Sequence, residues 1–170
     1  RRAILHLPTA RSGLAVSDSL NHDEGFGRAT MHIILVGLNH TTAPVVLRER
    51  LIFDTGTARA ALARWGYGTH TPAGHKSPSA PTVEGVILST CNRLELYAAT
   101  QNICEGQANL RHLIAEARGV PEAEFAAHLY ALDDQAAVRH LCKVTSGLDS
   151  MILGEPQILG QLKSAYAVAK

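Results

Sequence analysis

Two strand-length runs separated by only two residues constrain this chain more than anything else in it. Val83 to Thr90 centres on Val86, Ile87 and Leu88, and Arg93 to Thr100 alternates Leu94, Leu96 and Ala98 with Arg93, Glu95 and Tyr97. The first pattern suits a buried strand, the second a strand with one buried face. Cys91 and Asn92 alone join them, so an antiparallel pair around a sharp or irregular point is expected. A further buried strand is expected over Met31 to Leu38 (MHIILVGL), closed by a turn at Asn39 to Pro44.

Helical periodicity fills the spaces between. Pro44 suits a first helical turn, with the helix running from Val46 to Leu51 and Arg48, Glu49 and Arg50 pointing outward. Asp54 or Thr55 can cap a second helix to Trp65, with Ala58, Ala61, Leu62 and Trp65 at helical spacing. Gly66 to Thr82 is rich in Gly, Pro, Ser and Thr and reads as a surface loop. Glu105 to Arg118 is an amphipathic helix stopped by Gly119 and Pro121, and Leu129-Tyr130 suits a short strand. Asp133 or Asp134 can cap a helix that carries Val138, Leu141, Cys142 and Thr145 on its core side. Ser150 to Pro156 is a loop, and a last helix from Gln157 to Lys170 has Ile158, Leu159, Leu162, Ala165 and Tyr166 as its apolar stripe. That helix shows no stop signal, which suggests a chain cut from something longer. The expected fold class is α+β: a small, mostly antiparallel sheet with helices packed on one face, followed by the start of a long helix. No Gly-x-Gly-x-x-Gly follows a strand, so no dinucleotide-binding unit is expected in this chain.

The totals narrow the function classes. Of 170 residues, 46% are hydrophobic and 18% charged, which is ordinary globular composition. The net charge of +1 announces no partner of either sign. No apolar run reaches the roughly 20 residues of a membrane span. Arg1 to Thr30 mixes arginines with Asp18, Asp23 and Glu24; it does not read as a secretory signal and is expected to be a disordered extension ahead of Met31. Three cysteines without a close pair argue against a disulfide framework and against structural zinc, and fit a reducing, cytoplasmic compartment. The nine histidines form no His-Glu-x-x-His or His-x-His pattern, so no metal site is expected.

Chemistry could gather at a few places. Cys91 lies at a strand edge with Arg93 two residues on, an electropositive setting of the kind that raises the thiolate fraction. Free cysteines are as a class buried hydrophobes, so position alone leaves both readings open. Cys142, at core spacing, and Cys104, in a polar turn, are expected to be incidental. Arg93 offers a planar fork for a carboxylate, or else a surface ion pair with Glu95. Asn39, His40 and Thr41 end a strand, where binding groups are often mounted and turn chemistry is equally common. His140 on its helix can be a satisfied histidine or a working one. The stretch Gly147 to Gln157 carries glycines, polar groups and apolar Leu148, Met151, Ile152 and Leu153, and is expected to fold over something.

Three blocks together go further: GLNHTTAP at 37–44, LSTCNRLELY at 88–97 and HLCKVTSGLDSMILGEPQILGQ at 140–161. In this order they resemble the hallmark segments of glutamyl-tRNA reductase. The resemblance covers Met31 to Lys170. It implies a substrate-binding and catalytic domain over 31–156 and the start of a long inter-domain helix over 157–170. It also implies that the family's NADPH-binding and dimerisation domains are not part of these 170 residues. It further implies that the Cys91 thiolate attacks the ester of glutamyl-tRNA(Glu), that a thioester forms, and that NADPH reduces it to glutamate-1-semialdehyde, the first step toward 5-aminolevulinate and tetrapyrroles. Arg93 would hold the glutamate carboxylate; Thr90, Asn39 and Ser150 would hydrogen-bond the glutamyl group; His140 would line the pocket as a catalytic residue; Glu155 and Gln157 would support it. Implied partners are a second copy of the full-length protein and glutamate-1-semialdehyde aminomutase. Leu94 and Thr42 depart from the threonine and lysine common in the family, and the loop at 66–82 looks longer than usual.

Two other readings compete. A non-catalytic tRNA-binding module is weakened by an aromatic content of 5%, since base stacking needs exposed rings. A thiol-dependent acyl hydrolase would result if water opened the thioester.

Overall fold

The structure, a computed structural model, describes residues 30–67 and 84–170. The expected extension and nearly all of the Gly66 to Thr82 loop lie outside the described residues.

Four strands form one sheet: β1 (His32–Asn39), β2 (Gly85–Ser89), β3 (Arg93–Thr100) and β4 (Tyr130–Asp133). Their order is β2-β3-β1-β4, and each neighbouring pair is antiparallel. The helices are α1 (Val45–Arg50), α2 (Thr55–Tyr67), α3 (Ile103–Arg118), the single turn α4 (Glu122–Phe125), α5 (Asp134–Thr145) and α6 (Gln157–Ala169). The α+β class and the antiparallel pair about Cys91 are as the sequence predicts.

The ends of the helices follow local chemistry. Asp54 accepts the Thr57 N–H at 2.7 Å and opens α2. Asn102 accepts the Glu105 N–H at 3.1 Å and opens α3, which stops at Gly119 in a left-handed conformation (φ 61°). These side chains satisfy backbone donors that a helix start leaves unpaired. At the start of α5 the Asp133 side chain makes no cap. Asp134 instead accepts from the Ile33 N–H and from His32 Nδ1, tying the helix to β1.

The register sorts side chains onto two faces. On the first, Ile34, Val36 and Leu38 meet Ala98, Leu96 and Leu94 and pack with Leu110 and Ile114 of α3, Ala58 and Ala61 of α2, and Phe53 and Phe125. Each fully buried leucine or isoleucine here contributes roughly 1.5–3 kcal/mol over leaving it exposed. The second face is covered too: Leu35 and Tyr97 pack on Ala137 of α5, and Leu88 on Val144 of α5 and Ile158 of α6. Helices therefore cover both faces, where the sequence suggested one.

This second layer explains several departures from the sequence reading. β3 is buried on both sides rather than half-buried, because α5 lies over Arg93, Glu95 and Tyr97. The core side of α5 is Ala137 and Val144; Val138 and Cys142 face solvent. Along α6, Ile158 is buried but Leu159 and Tyr166 are exposed. Cys104 belongs to the first turn of α3 rather than to a loop, and is exposed.

Candidate functional site

The second face of the sheet carries a polar network where apolar packing would be the default. Arg93, Glu95 and Tyr97 stand on β3 at alternate positions, so their side chains share one face. Glu95 is fully buried, with 0% exposure. Its Oε1 accepts from Arg93 Nη1 at 2.8 Å, from the Tyr130 hydroxyl of β4 at 2.6 Å and from His140 Nε2 of α5 at 2.7 Å. Its Oε2 accepts from the Tyr97 hydroxyl at 2.7 Å. A buried charge survives only when paired and hydrogen-bonded in this way.

Burial by itself pushes the Glu95 carboxyl up. The His140 hydrogen bond, the Arg93 charge and the two phenol hydroxyls outweigh it and hold the group below its usual value. The Arg93 guanidinium is held above its ordinary value: burial opposes its charge, and Glu95, with help from Asp149, overcomes that. Burial and then the Glu95 charge push both Tyr97 and Tyr130 well up, so both phenols stay protonated donors. An ionised carboxylate only accepts, so His140 Nε2 is the donor in this bond.

Arg93 makes a second set of contacts with the loop between α5 and α6. Its Nη1 lies 3.1 Å from Asp149 Oδ2, and its Nη2 donates to the Asp149 carbonyl. The ion pair with Glu95, read from sequence as a surface contact, is thus buried and part of a larger cluster. Asn39 Nδ2 approaches Asp149 Oδ2 at 3.4 Å, while Asn39 Oδ1 accepts from the Thr41 N–H and hydroxyl. Thr42 closes the end of β1 by accepting the Asn39 N–H through Oγ1 at 3.0 Å.

Cys91 sits in the middle of the three-residue turn, Thr90 to Asn92, between β2 and β3 and is exposed. The turn is held from within and from outside. Thr90 Oγ1 accepts from the Asn92 and Arg93 N–H groups, each at 3.1 Å, and the Thr90 N–H donates to the Arg93 carbonyl at 2.8 Å. Arg48 donates to the Cys91 carbonyl, to Asn92 Oδ1 at 3.1 Å and to the Ala43 carbonyl at 3.2 Å. Arg48 therefore crosses to the cysteine turn instead of pointing outward. Its fixed fork of donors suits three acceptors at once.

The structure thus joins Arg93, His140 and Asn39 in one hydrogen-bonded cluster, and places Thr90 as the internal brace of the Cys91 turn. The buried Ser150 Oγ and His40 Nδ1 have no partner among the described residues, and they are the chain neighbours of Asp149 and Asn39. Unpaired buried polar atoms cost about 1–3 kcal/mol each and suit an incoming polar group. Glu155 is half-buried and Gln157 exposed at the start of α6, and neither belongs to the cluster. The loop that carries Asp149 does not bury its apolar residues: Leu148, Met151, Ile152 and Leu153 are 61–73% exposed. A shallow depression of about 280 Å³ borders the site, lined by Leu132, Gln135, Ala136, Arg139, His140 and Lys143; Cys91 is not in its wall.

Sequence reasoning missed Glu95, Tyr130, Asp149 and Arg48. The signal for Glu95 was present: three polar residues at alternate positions of one strand share a face. Tyr130 and Asp149 depend on long-range packing that no local pattern announces.

The chain is similar to known proteins. A family model described as Glutamyl-tRNAGlu reductase, N-terminal domain, matches residues 36–170. A glutamyl-tRNA reductase of Syntrophotalea carbinolica is 46% identical over 144 residues, covering 82% of this chain and 29% of that protein. One from Pelobacter propionicus is 42% identical over 140 residues, with the same coverage of 82% and 29%. The solved glutamyl-tRNA reductase of Methanopyrus kandleri matches with a TM-score of 0.53 at 27% identity, over 81% of this chain and 28% of that one. The chain therefore spans less than a third of the length of these relatives, and within that span it belongs to the glutamyl-tRNA reductase family through its N-terminal domain.

Proposed function

We propose that this chain takes the glutamyl group from glutamyl-tRNA(Glu) onto Cys91. The thiolate attacks the ester carbonyl, a C–S bond forms, the ester C–O bond breaks, and the terminal ribose oxygen of the tRNA leaves and takes a proton. The product is a glutamyl thioester. Sulfur is a strong nucleophile, and covalent capture divides one hard displacement into two easier ones. The observation that carries this reading is an exposed thiol on a braced turn, two residues before a guanidinium held in place by a buried carboxylate.

The other residues take roles consistent with their positions. Arg93 receives the side-chain carboxylate of the glutamyl group, and its planar fork suits two parallel hydrogen bonds. Asn39, Ser150 and Thr90 bind the glutamyl moiety, with Ser150 Oγ lacking a partner among the described residues. His140, held through Nε2 by Glu95, lines the pocket that receives the glutamyl group. Glu155 and Gln157 act at the edge of the pocket. Residues 31–156 form the catalytic domain, and α6 begins the inter-domain helix.

The described residues do not fit a dinucleotide. The sheet is antiparallel throughout, and among them no strand runs through a glycine-rich turn into a helix. Chemistry from these residues therefore ends at the thioester. NADPH as the reductant, glutamate-1-semialdehyde as product, a homodimer, the aminomutase as partner and a cytoplasmic location are proposals carried by the resemblance alone. Among the described residues, no helix is long and apolar enough to cross a membrane.

The test is acyl transfer from labelled glutamyl-tRNA to the chain and to Cys91→Ser. Label retained on the wild type and lost from the variant is expected; equal labelling of both refutes Cys91 as nucleophile. Release of free glutamate would instead favour the hydrolase reading.

A further inference from the structure

Arg93 cannot accept a third carboxylate as it stands. Its side chain is 2% exposed, and three of its five N–H donors bind Glu95 and both the carboxylate and the carbonyl of Asp149, so the guanidinium is closed over by these partners. A substrate carboxylate reaches this guanidinium only if one of its present partners leaves.

The two partners differ sharply in what holds them. Glu95 is at 0% exposure and also binds Tyr97, Tyr130 and His140, so removing it strands three further donors in the interior. The Asp149 side chain is 31% exposed, and its one other hydrogen bond among the described residues is the long one from Asn39 at 3.4 Å. The loop that carries it is closed on itself at a narrow neck, where the Gly154 N–H donates to the Gly147 carbonyl at 3.0 Å. Both neck residues are glycines with positive φ, 70° and 81°. Between them Leu148, Met151, Ile152 and Leu153 stand 61–73% exposed, so no apolar packing from these four side chains anchors the loop. Low burial of this kind is the physical signature of a segment that opens at small cost.

We propose that Asp149 is a specificity-determining residue that holds the place of the substrate's carboxylate on Arg93 and yields it only to another carboxylate. The inference rests on the reading that Arg93 receives the glutamyl side chain. The exchange is like for like: one carboxylate leaves the guanidinium, another arrives, and Glu95 remains as the fixed counter-charge. A neutral glutaminyl side chain offers no charge-assisted bond to offset the loss of Asp149, and so leaves the loop in place. Asp149 thereby sharpens selection beyond what Arg93 alone supplies, at the expense of affinity for the correct substrate.

The experiment measures Cys91 acylation against the concentration of glutamyl-tRNA and, separately, of glutaminyl-tRNA. In Asp149→Asn the half-saturating glutamyl-tRNA concentration is expected to fall about threefold to tenfold, and discrimination against glutaminyl-tRNA to narrow by a similar factor. An unchanged or raised half-saturation in a variant with wild-type melting overturns the proposal. Hydrogen exchange on the wild type gives a test free of substitution: amides of residues 147–154 exchange faster in the acylated chain, and unaltered exchange overturns it. Arg93→Lys separates the two readings. If it retains full acylation and full discrimination, the role of Arg93 fails and the proposal with it. If it loses them while Asp149→Asn does not tighten binding, Arg93 stands and the competitor role of Asp149 alone is refuted.

Discussion

Gly37 lies directly opposite Glu95 across the β1–β3 ladder, and a Cβ placed there would come within 2.8 Å of both Glu95 Cγ and the Leu94 carbonyl oxygen. The bare backbone of β1 is what leaves room for the buried carboxylate. A glycine early in one motif and a glutamate late in another thus form one structural unit, and the cluster around Arg93 is built on it.

Gly37→Ala tests that unit. The methyl meets a backbone carbonyl as well as a side chain, so the neighbours cannot simply rotate away. The expected cost is about 1–3 kcal/mol of folding stability, the range for overpacking. Urea unfolding checks it, and a change within a few tenths of a kcal/mol would show that the strands separate freely.

Glu95→Ala removes the acceptor of four donors and leaves the Arg93 cation buried with only Asp149. A loss of about 3–5 kcal/mol is expected, as for other broken buried pairs. The pH dependence follows from the carboxyl being held below its usual value. A carboxylate with a depressed folded-state pKa stabilises the fold fully above its unfolded value and loses that contribution as pH falls through the folded one. The stability gap between wild type and Glu95→Gln should therefore be constant near neutrality and shrink below the ordinary carboxylate range. A gap that widens on acidification contradicts this.

Arg48→Ala should act on chemistry more than on folding. Arg48 is half-buried and binds the Cys91 carbonyl and Asn92 Oδ1, so its loss frees the turn that aims the thiol. Acylation of Cys91 should slow by about tenfold to a hundredfold, the scale on which misplacement of a reacting group by an ångström acts. Arg48→Lys should recover only part of this, because an ammonium cannot span three acceptors as a fork does. Single-turnover acylation with a thermal melt in parallel distinguishes an aiming role from general destabilisation.

Much of this was legible in the sequence, and the exceptions share a cause. Strand and helix positions followed from periodicity, because Leu94, Leu96 and Ala98 face an apolar layer as their spacing demands. The same rule misread Arg93, Glu95 and Tyr97 as a solvent face. Alternation tells that two faces differ in polarity, not that the polar one is wet; α5 covers it, and the polar groups satisfy one another. Cys142 and Val138 failed for a related reason. Helix α5 sits over a polar cluster and meets the sheet through Ala137, Leu141 and Val144, so its buried face is narrower than its apolar content suggests. Asp149 was beyond local reasoning, since its partner Arg93 is 56 residues away in the chain.

The central claim is that Cys91 carries the glutamyl group, and peptide mapping measures it most directly. After mixing with glutamyl-tRNA and an acid quench, the glutamyl mass should sit on the peptide containing Cys91, and Cys104 and Cys142, though also exposed, should stay unmodified. A glutamyl adduct on Cys104 or Cys142, or spread evenly over all three thiols, would contradict it.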